Sequence, residues 1–222
     1  MISKILSMVV LSFTIAVINP LHAEPQNLAF LKNDIKIYHD SGRYEAELSK
    51  TILQAKDYLL KQVSLYKQNP DHKKLAIVLD IDETSLSNYN KMVERNFVSN
   101  AKQLHKDFLE ASAPAITPML SLYKAALKHH VAVFFVTGRS FIEREATQKN
   151  LLQAGYAHWN GLYLRPEDYD LPTIVPFKSQ TRCDIEKQGY EIIETIGDQD
   201  SDLKGGCAKK GFKLPNPFYY IS

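Results

Sequence analysis

An apolar run, Leu75-Ala76-Ile77-Val78-Leu79, stops at Asp80-Ile81-Asp82-Glu83-Thr84. In an extended chain side chains alternate, so Asp80 and Asp82 lean to one side while Ile81 packs to the other. A second run ends at Phe135-Val136-Thr137-Gly138-Arg139, which supplies a hydroxyl, a glycine whose backbone N–H a ligand can approach closely, and a cation. Another ends at Ile196-Gly197-Asp198-Gln199-Asp200-Ser201-Asp202, an acidic turn, and Lys178 stands between the two in Pro176-Phe177-Lys178-Ser179. Gathered in one place, Asp80, Asp82, Asp198 and Asp202 repel one another unless a proton or a cation offsets their charge. Hard oxygen ligands at few positions suit Mg²⁺, which often shares its shell with a phosphate. Thr137, the Gly138 N–H and Lys178 are the groups that hold phosphoryl oxygens as charge shifts in a transition state. These residue types therefore point to phosphate chemistry.

The elements that must position them follow from periodicity. Tyr44, Leu48, Ile52, Ala55, Leu59, Val63 and Tyr66 step by three or four, which predicts a long amphipathic helix over 43–66. Asn69-Pro70-Asp71 is a turn signal. Short continuous apolar runs at 75–79, 131–136, 161–164 and 191–196, with a weaker one at 212–214, suit strands buried on both faces. Helical patterns at 117–129, 140–154 and 178–188 separate most of them. This alternation predicts an α/β fold, a mainly parallel, Rossmann-like sheet between helical layers. Ligands in such folds bind beyond the carboxyl ends of the strands, where the polar residues above are found.

The four sites, in order, resemble the motifs of the haloacid dehalogenase superfamily. The wider context, including Lys187-Gln188-Gly189-Tyr190, Ser201-Asp202-Leu203 and Lys213-Leu214-Pro215-Asn216-Pro217-Phe218-Tyr219, is similar to its acid phosphatase branch, with the bacterial class C acid phosphatases and the plant vegetative storage and acid phosphatases. The likeness spans 43–222. It implies that Asp80 is the nucleophile that forms an aspartyl-phosphate, and that Asp82 protonates the leaving alcohol and then activates water. It implies that Thr137, Gly138 and Lys178 hold the phosphoryl group. Mg²⁺ is then bound by the Asp80 carboxylate, the Asp82 backbone carbonyl and Asp198, with Asp202 orienting its waters. Asp200 lies outside the motif spacing and is read as solvated. With Asp80 ionised beside the metal and Lys178, and Asp82 protonated among other carboxylates, activity is expected to peak at roughly pH 5 to 6.

Other residues carry two readings each. Arg139 contacts substrate, opens the next helix or pairs with Glu143, and Arg182 forms a structural ion pair or extends the site. Asn88, Tyr89 and Tyr219 stack on or bind an apolar leaving group such as a nucleobase, or seal the core. Histidines number seven and show no ligand spacing, so surface or packing roles are expected. Residues 90–118 are too few for a large cap domain. Segments near 28–68 and 88–116 are expected to form a small helical lobe, which leaves the cleft open to varied small phosphomonoesters.

Composition narrows the rest. With 222 residues, 45% hydrophobic and 23% charged, the chain matches a globular protein of one main domain. A formal charge of +2 lacks the basic footprint of a nucleic-acid polymer binder. Residues 1–23, with Lys4, an apolar stretch at 5–18, Asn19-Pro20 and Ala23, follow the plan of a signal peptide. The stretch is shorter than the roughly 20 residues of a membrane span. A mature domain over 24–222, periplasmic or secreted and without a stable membrane anchor, is the expectation. The two cysteines, Cys183 and Cys207, are a disulfide or two inert thiols. An exported, Mg²⁺-dependent acid phosphatase is the leading reading. A phosphotransferase with the same intermediate is its enzymatic rival, and a non-catalytic storage or binding protein its rival from another class. Sequence leaves the oligomeric state open.

Overall fold

Five strands lie side by side in the order β3-β2-β1-β4-β5, and every pairing is parallel. They are β1 Lys74–Leu79, β2 Ala132–Ser140, β3 Gly161–Arg165, β4 Tyr190–Gly197 and β5 Lys210–Lys213. The computed structural model describes residues 25–68 and 73–221. The segment read as a signal peptide, the turn at 69–71, His22 and His72 lie outside the described residues. Alternation along β1 sends Ile77 and Leu79 into a large core and Ala76 and Val78 into a smaller one on the opposite face. Both faces are therefore covered, as a parallel sheet requires.

Helices α1 Leu28–Asp40 and α2 Arg43–Gln68 precede the sheet, and α3 Tyr89–Glu94, α4 Ala101–Glu110 and α5 Thr117–Lys128 lie between β1 and β2. Helix α2 lies against α5, β4 and β5, and buries Tyr44, Leu48, Ile52, Ala55, Leu59 and Val63. Each such aliphatic side chain stabilises by roughly 1.5–3 kcal/mol. Helix α1 buries no residue fully, and Asn27 caps it by accepting from the Ala29 N–H.

Two boundaries differ from the sequence pattern in ways that matter for the site. Strand β2 runs on through Thr137-Gly138-Arg139 to Ser140, and a 3-10 turn, Phe141–Glu143, precedes α6 Arg144–Gln153. Arg139 is thus a strand residue and does not open a helix. Helix α7, Val175–Lys187, begins ahead of Lys178 because Pro176 fits its first turn, where no backbone N–H is needed. Lys178 therefore rides on the first turn of a helix.

Cys183 and Cys207 are joined as a disulfide, with their Cα atoms 5.0 Å apart. Arg182 makes no ion pair among the described residues. It donates to the backbone carbonyls of Asp202, Lys204 and Gly206, and so braces the loop that the disulfide ties to α7. Gly205 closes this loop at φ +91°, where an added Cβ would stand 2.3 Å from that of Ser179.

Candidate active site

Strand ends bring the acidic residues together. Asp80 follows β1, Asp198 follows β4, and Asp202 lies in the 3-10 turn Asp200–Asp202. Each offers a carboxylate oxygen, and these oxygens lie within 4.8 Å of one another with all three residues buried. Gly197 makes the approach possible, since a Cβ there would fall 2.1 Å from Asp202 Oδ2. Burial and the neighbouring Asp202 push the Asp80 carboxyl well above its ordinary range, and the same two causes raise Asp198. A hard divalent cation between them relieves this repulsion, so the donor set fits Mg²⁺ or an ion of its type.

Lys178 Nζ donates to Asp80 Oδ1 at 2.8 Å and to Asp202 Oδ1. Burial by itself would lower the pKa of this lysine, but the Asp202 and Asp80 carboxylates outweigh it and raise the value, so Lys178 stays charged. Asp202 also accepts from the Gln199 backbone N–H at 2.8 Å, and Asp198 accepts from Thr84 Oγ1, Gln199 Nε2 and Asn216 Nδ2 at 2.9, 2.6 and 2.7 Å. Asp200 is exposed and faces Lys204.

Asp82 stands apart from that cluster. Arg139 reaches it from β2 through Nε, 3.1 and 3.0 Å from its two carboxylate oxygens, and through Nη2 at 2.7 Å. The guanidinium is buried and lies over the Phe108 ring, 4.2 Å from its centroid. Asn88 Nδ2 adds a third donor to Asp82 at 2.8 Å. The partner of Arg139 is thus Asp82 and not Glu143, which instead caps its own turn and contacts His105. The expectation that Asp82 is the aspartate crowded by carboxylates also changes. The groups in contact with it are a cation and an amide, while Asp80 is the one pressed between acids.

Next to Asp82, Glu83 occupies a left-handed conformation at φ 55° and is fully buried. It accepts from the Asn88 N–H and from Tyr219 Oη at 2.5 and 3.0 Å. Burial, with the nearby Asp82 charge adding to it, pushes its carboxyl up to about 8. Thr137 is buried, and its Oγ1 accepts from the Arg139 N–H at 3.2 Å. The β2–β3 register shifts between Thr137 and Ser140, which turns Gly138 out of the ladder toward the cavity.

A cavity of about 470 Å³ joins these groups, with Asp80, Asp82, Gly138, Lys178 and Asp198 in its wall. Met92, Phe97, Leu104 and Phe108, from the α3 to α4 segment, and Phe218 to Ile221, from the tail, give it an apolar side. Of the aromatic candidates, Tyr219 lines the cavity. Tyr89 does not: its ring stacks on His39 and packs near Phe218, and its hydroxyl donates to Asp40. His39 therefore serves packing.

Sequence reasoning gave no role to Glu83, Thr84, Gln199, Asn216 or Arg165, all of which belong to this region. Proximity to the aspartates was the one signal for Glu83, Thr84 and Gln199. Arg165 carries the signal of any polar residue that ends an apolar strand.

The family model for the acid phosphatases of subfamily IIIB in the HAD (haloacid dehalogenase) superfamily matches residues 7–222. The chain is 35% identical over 191 residues to acid phosphatase 1 of Solanum lycopersicum, covering 84% of this chain and 73% of the relative. It is 33% identical over 192 residues to the stem 28 kDa glycoprotein of Glycine max, with 84% and 73% covered. Among solved structures, the class C acid phosphatase of Bacillus anthracis superposes with a TM-score of 0.66 at 20% identity, covering 86% of each chain. That likeness is one of fold.

Proposed function

This chain belongs to the acid phosphatases of HAD subfamily IIIB, and from that premise we propose that it is an exported, Mg²⁺-dependent phosphomonoesterase working through an aspartyl-phosphate on Asp80. The observation that carries the reading is the placing of Asp80. It shares one buried cluster with Asp198 and Asp202, is hydrogen-bonded to Lys178, and opens on the same cavity as Asp82 and Gly138.

In this reading an Asp80 carboxylate oxygen attacks phosphorus and the ester P–O bond breaks. Asp82 gives its proton to the departing alkoxide, then takes one from the water that cleaves the acyl phosphate. Lys178, Thr137 and the Gly138 N–H hold the phosphoryl oxygens. Arg139 and Asn88 fix the position of Asp82 rather than touch phosphate. Asp80, the Asp82 carbonyl and Asp198, with Asp202 beside them, would hold Mg²⁺, which when bound would reduce the repulsion between the anionic nucleophile and an anionic phosphate.

Export rests on the pattern of residues 1–23, with the soybean relative named as a glycoprotein in accord with it. No helix among the described residues is long and apolar enough to cross a membrane. Substrates are small phosphomonoesters, nucleotides among them, and not nucleic-acid polymers. Retention of Asp80 argues against the storage or binding reading, and an added alcohol acceptor that yields a new phosphoester would favour the phosphotransferase.

The test is phosphate release by the purified chain. A chelator should abolish it and Mg²⁺ restore it, and Asp80→Asn should lower it at least about 10³-fold with an unchanged circular dichroism spectrum. Full activity in a folded Asp80→Asn would remove the covalent mechanism. Rescue by Zn²⁺ alone would remove the hard-oxygen site.

A further inference from the structure

The cations in the cavity wall are Arg95, Arg139, Arg165 and Lys178. Three are committed: Arg95 to Asp107, Arg139 to Asp82, and Lys178 to Asp80 and Asp202. Arg165 is different. Among the described residues it has no carboxylate partner, and its one hydrogen bond runs from Nε to the Gly138 carbonyl at 3.3 Å. A guanidinium has five N–H donors, so the four on its terminal nitrogens carry no acceptor among the described residues.

Its location gives those donors a use. Arg165 is the last residue of β3, in register with Ser140 of β2, and is half-buried beside the strand end that carries Thr137 and Gly138. The Nε bond holds the guanidinium against Gly138, so the side chain is positioned without being neutralised. The wall also carries the carboxylates of Asp82, Glu83 and Asp198, and the opposite side is apolar. An anionic substituent on a leaving group is repelled by the first, stripped of water by the second, and accepted at Arg165. A planar guanidinium takes a carboxylate or a phosphate through two parallel N–H bonds.

We propose that Arg165 is a specificity residue that binds a second acidic group on the substrate, so that the preferred phosphomonoesters are those whose leaving alcohol itself carries a carboxylate or a phosphate. The inference rests on the phosphatase reading above and deepens it.

The test compares phenyl phosphate, 3-carboxyphenyl phosphate and 1,3-phenylene bisphosphate with the wild-type chain, Arg165→Met and Arg165→Lys. Because Arg165 also braces Gly138, the readout is the ratio of kcat/KM for each acidic ester to that for phenyl phosphate, which cancels any general loss. Arg165→Met should lower this ratio at least tenfold, mainly through KM, and Arg165→Lys should fall between, having charge but no fork. A larger drop with one acidic ester than with the other identifies the substituent read. A parallel loss on all three esters would reduce Arg165 to a brace for Gly138, and unchanged ratios would leave it without a role; either overturns the proposal. Calorimetric binding of the same esters to Asp80→Asn, with and without Arg165→Met, needs no turnover. Tighter binding of the acidic esters that depends on Arg165 upholds the inference even if no ester is hydrolysed, which would sink the phosphatase reading alone. Equal binding overturns the inference whatever the activity.

Discussion

Asp82 and Arg139 form a pair whose members differ in how much of the solvent they have given up: the side chain of Arg139 is 1% exposed and that of Asp82 is 18%. That asymmetry decides which deletion costs more. Removing the carboxylate in Asp82→Ala leaves a buried guanidinium with no contacting anion, a change of the kind that costs about 3–5 kcal/mol. Removing the cation in Arg139→Met leaves a carboxylate that water can still reach, and the methionine keeps the packing on Phe108, so about 1–2 kcal/mol is expected. Urea unfolding of both variants checks the order; a larger loss in Arg139→Met would mean that Phe108 and Thr147, whose Oγ1 accepts from Arg139 Nη1 at 3.3 Å, anchor the arginine more than Asp82 does. Catalysis should follow a different rule under the mechanism proposed above, in which Asp82 reacts and Arg139 positions it. Arg139→Met should lower kcat about tenfold or more with KM little changed. The aspartates were legible in sequence because Asp80 and Asp198 directly follow apolar strands, with Asp82 and Asp202 a few residues behind them. The partner of Arg139 was not, because Asp82 is 57 residues away, and only the folded sheet makes strands β1 and β2 neighbours.

Between residues and the whole lies the loop that follows Asp202, which is tied down three times: by the disulfide to α7, by Arg182 to its carbonyls, and by Gly205 against Ser179. The same helix carries Lys178, one turn ahead of Arg182, so the loop and the lysine share a frame. The disulfide closes a segment with a sequence separation of 24, and releasing it gives the unfolded chain entropy worth about 3 kcal/mol. Reduction, or Cys183→Ser with Cys207→Ser, should therefore lower the melting temperature by several degrees. Arg182 still holds the loop in the folded state, so activity measured well below the melt should change less than about threefold. Thermal melts and assays with and without a dithiol reductant separate the two effects; activity lost while the melt stays put would make the disulfide part of the site itself. The cysteines could not be paired from sequence because the distance between α7 and this loop is a property of the sheet. The strands were readable from their continuous apolar runs, and α2, α5, α6 and α7 from their helical patterns. Helix α1 and the end of β2 were not, since the first buries little and the second is polar where it reaches the site.

For the molecule as a whole, the alternation of strand and helix sufficed to predict a parallel sheet with its chemistry at one edge, since apolar strands buried on both faces have few other arrangements. What the apolar run at 191–196 concealed is Glu194, which is completely buried in β4, opposite Ile77 of β1 and Lys210 of β5. Both of its carboxylate oxygens lack a hydrogen-bond partner among the described residues. Burial lifts its pKa well above the ordinary value, and the positive charge of Lys210 offsets only part of this. Tyr58 of α2, with Lys209 and Glu191 beyond it, completes the charged and titratable surroundings on that side of the sheet. The folded chain thus keeps a proton that the unfolded chain releases near pH 4.5. Between that pH and the raised value the unfolded state binds fewer protons, so stability is greatest below the window and falls as pH rises through it. The contribution is about 1.4 kcal/mol per pH unit within the window. Glu194→Gln keeps the shape and removes the titration. Its unfolding free energy should match that of the wild-type chain near pH 4.5 and exceed it by a margin that grows as the pH rises above that value, as read from urea unfolding at each pH. Parallel pH profiles for the two proteins would show that Glu194 finds a compensating partner in solution and would overturn this account of the pH dependence.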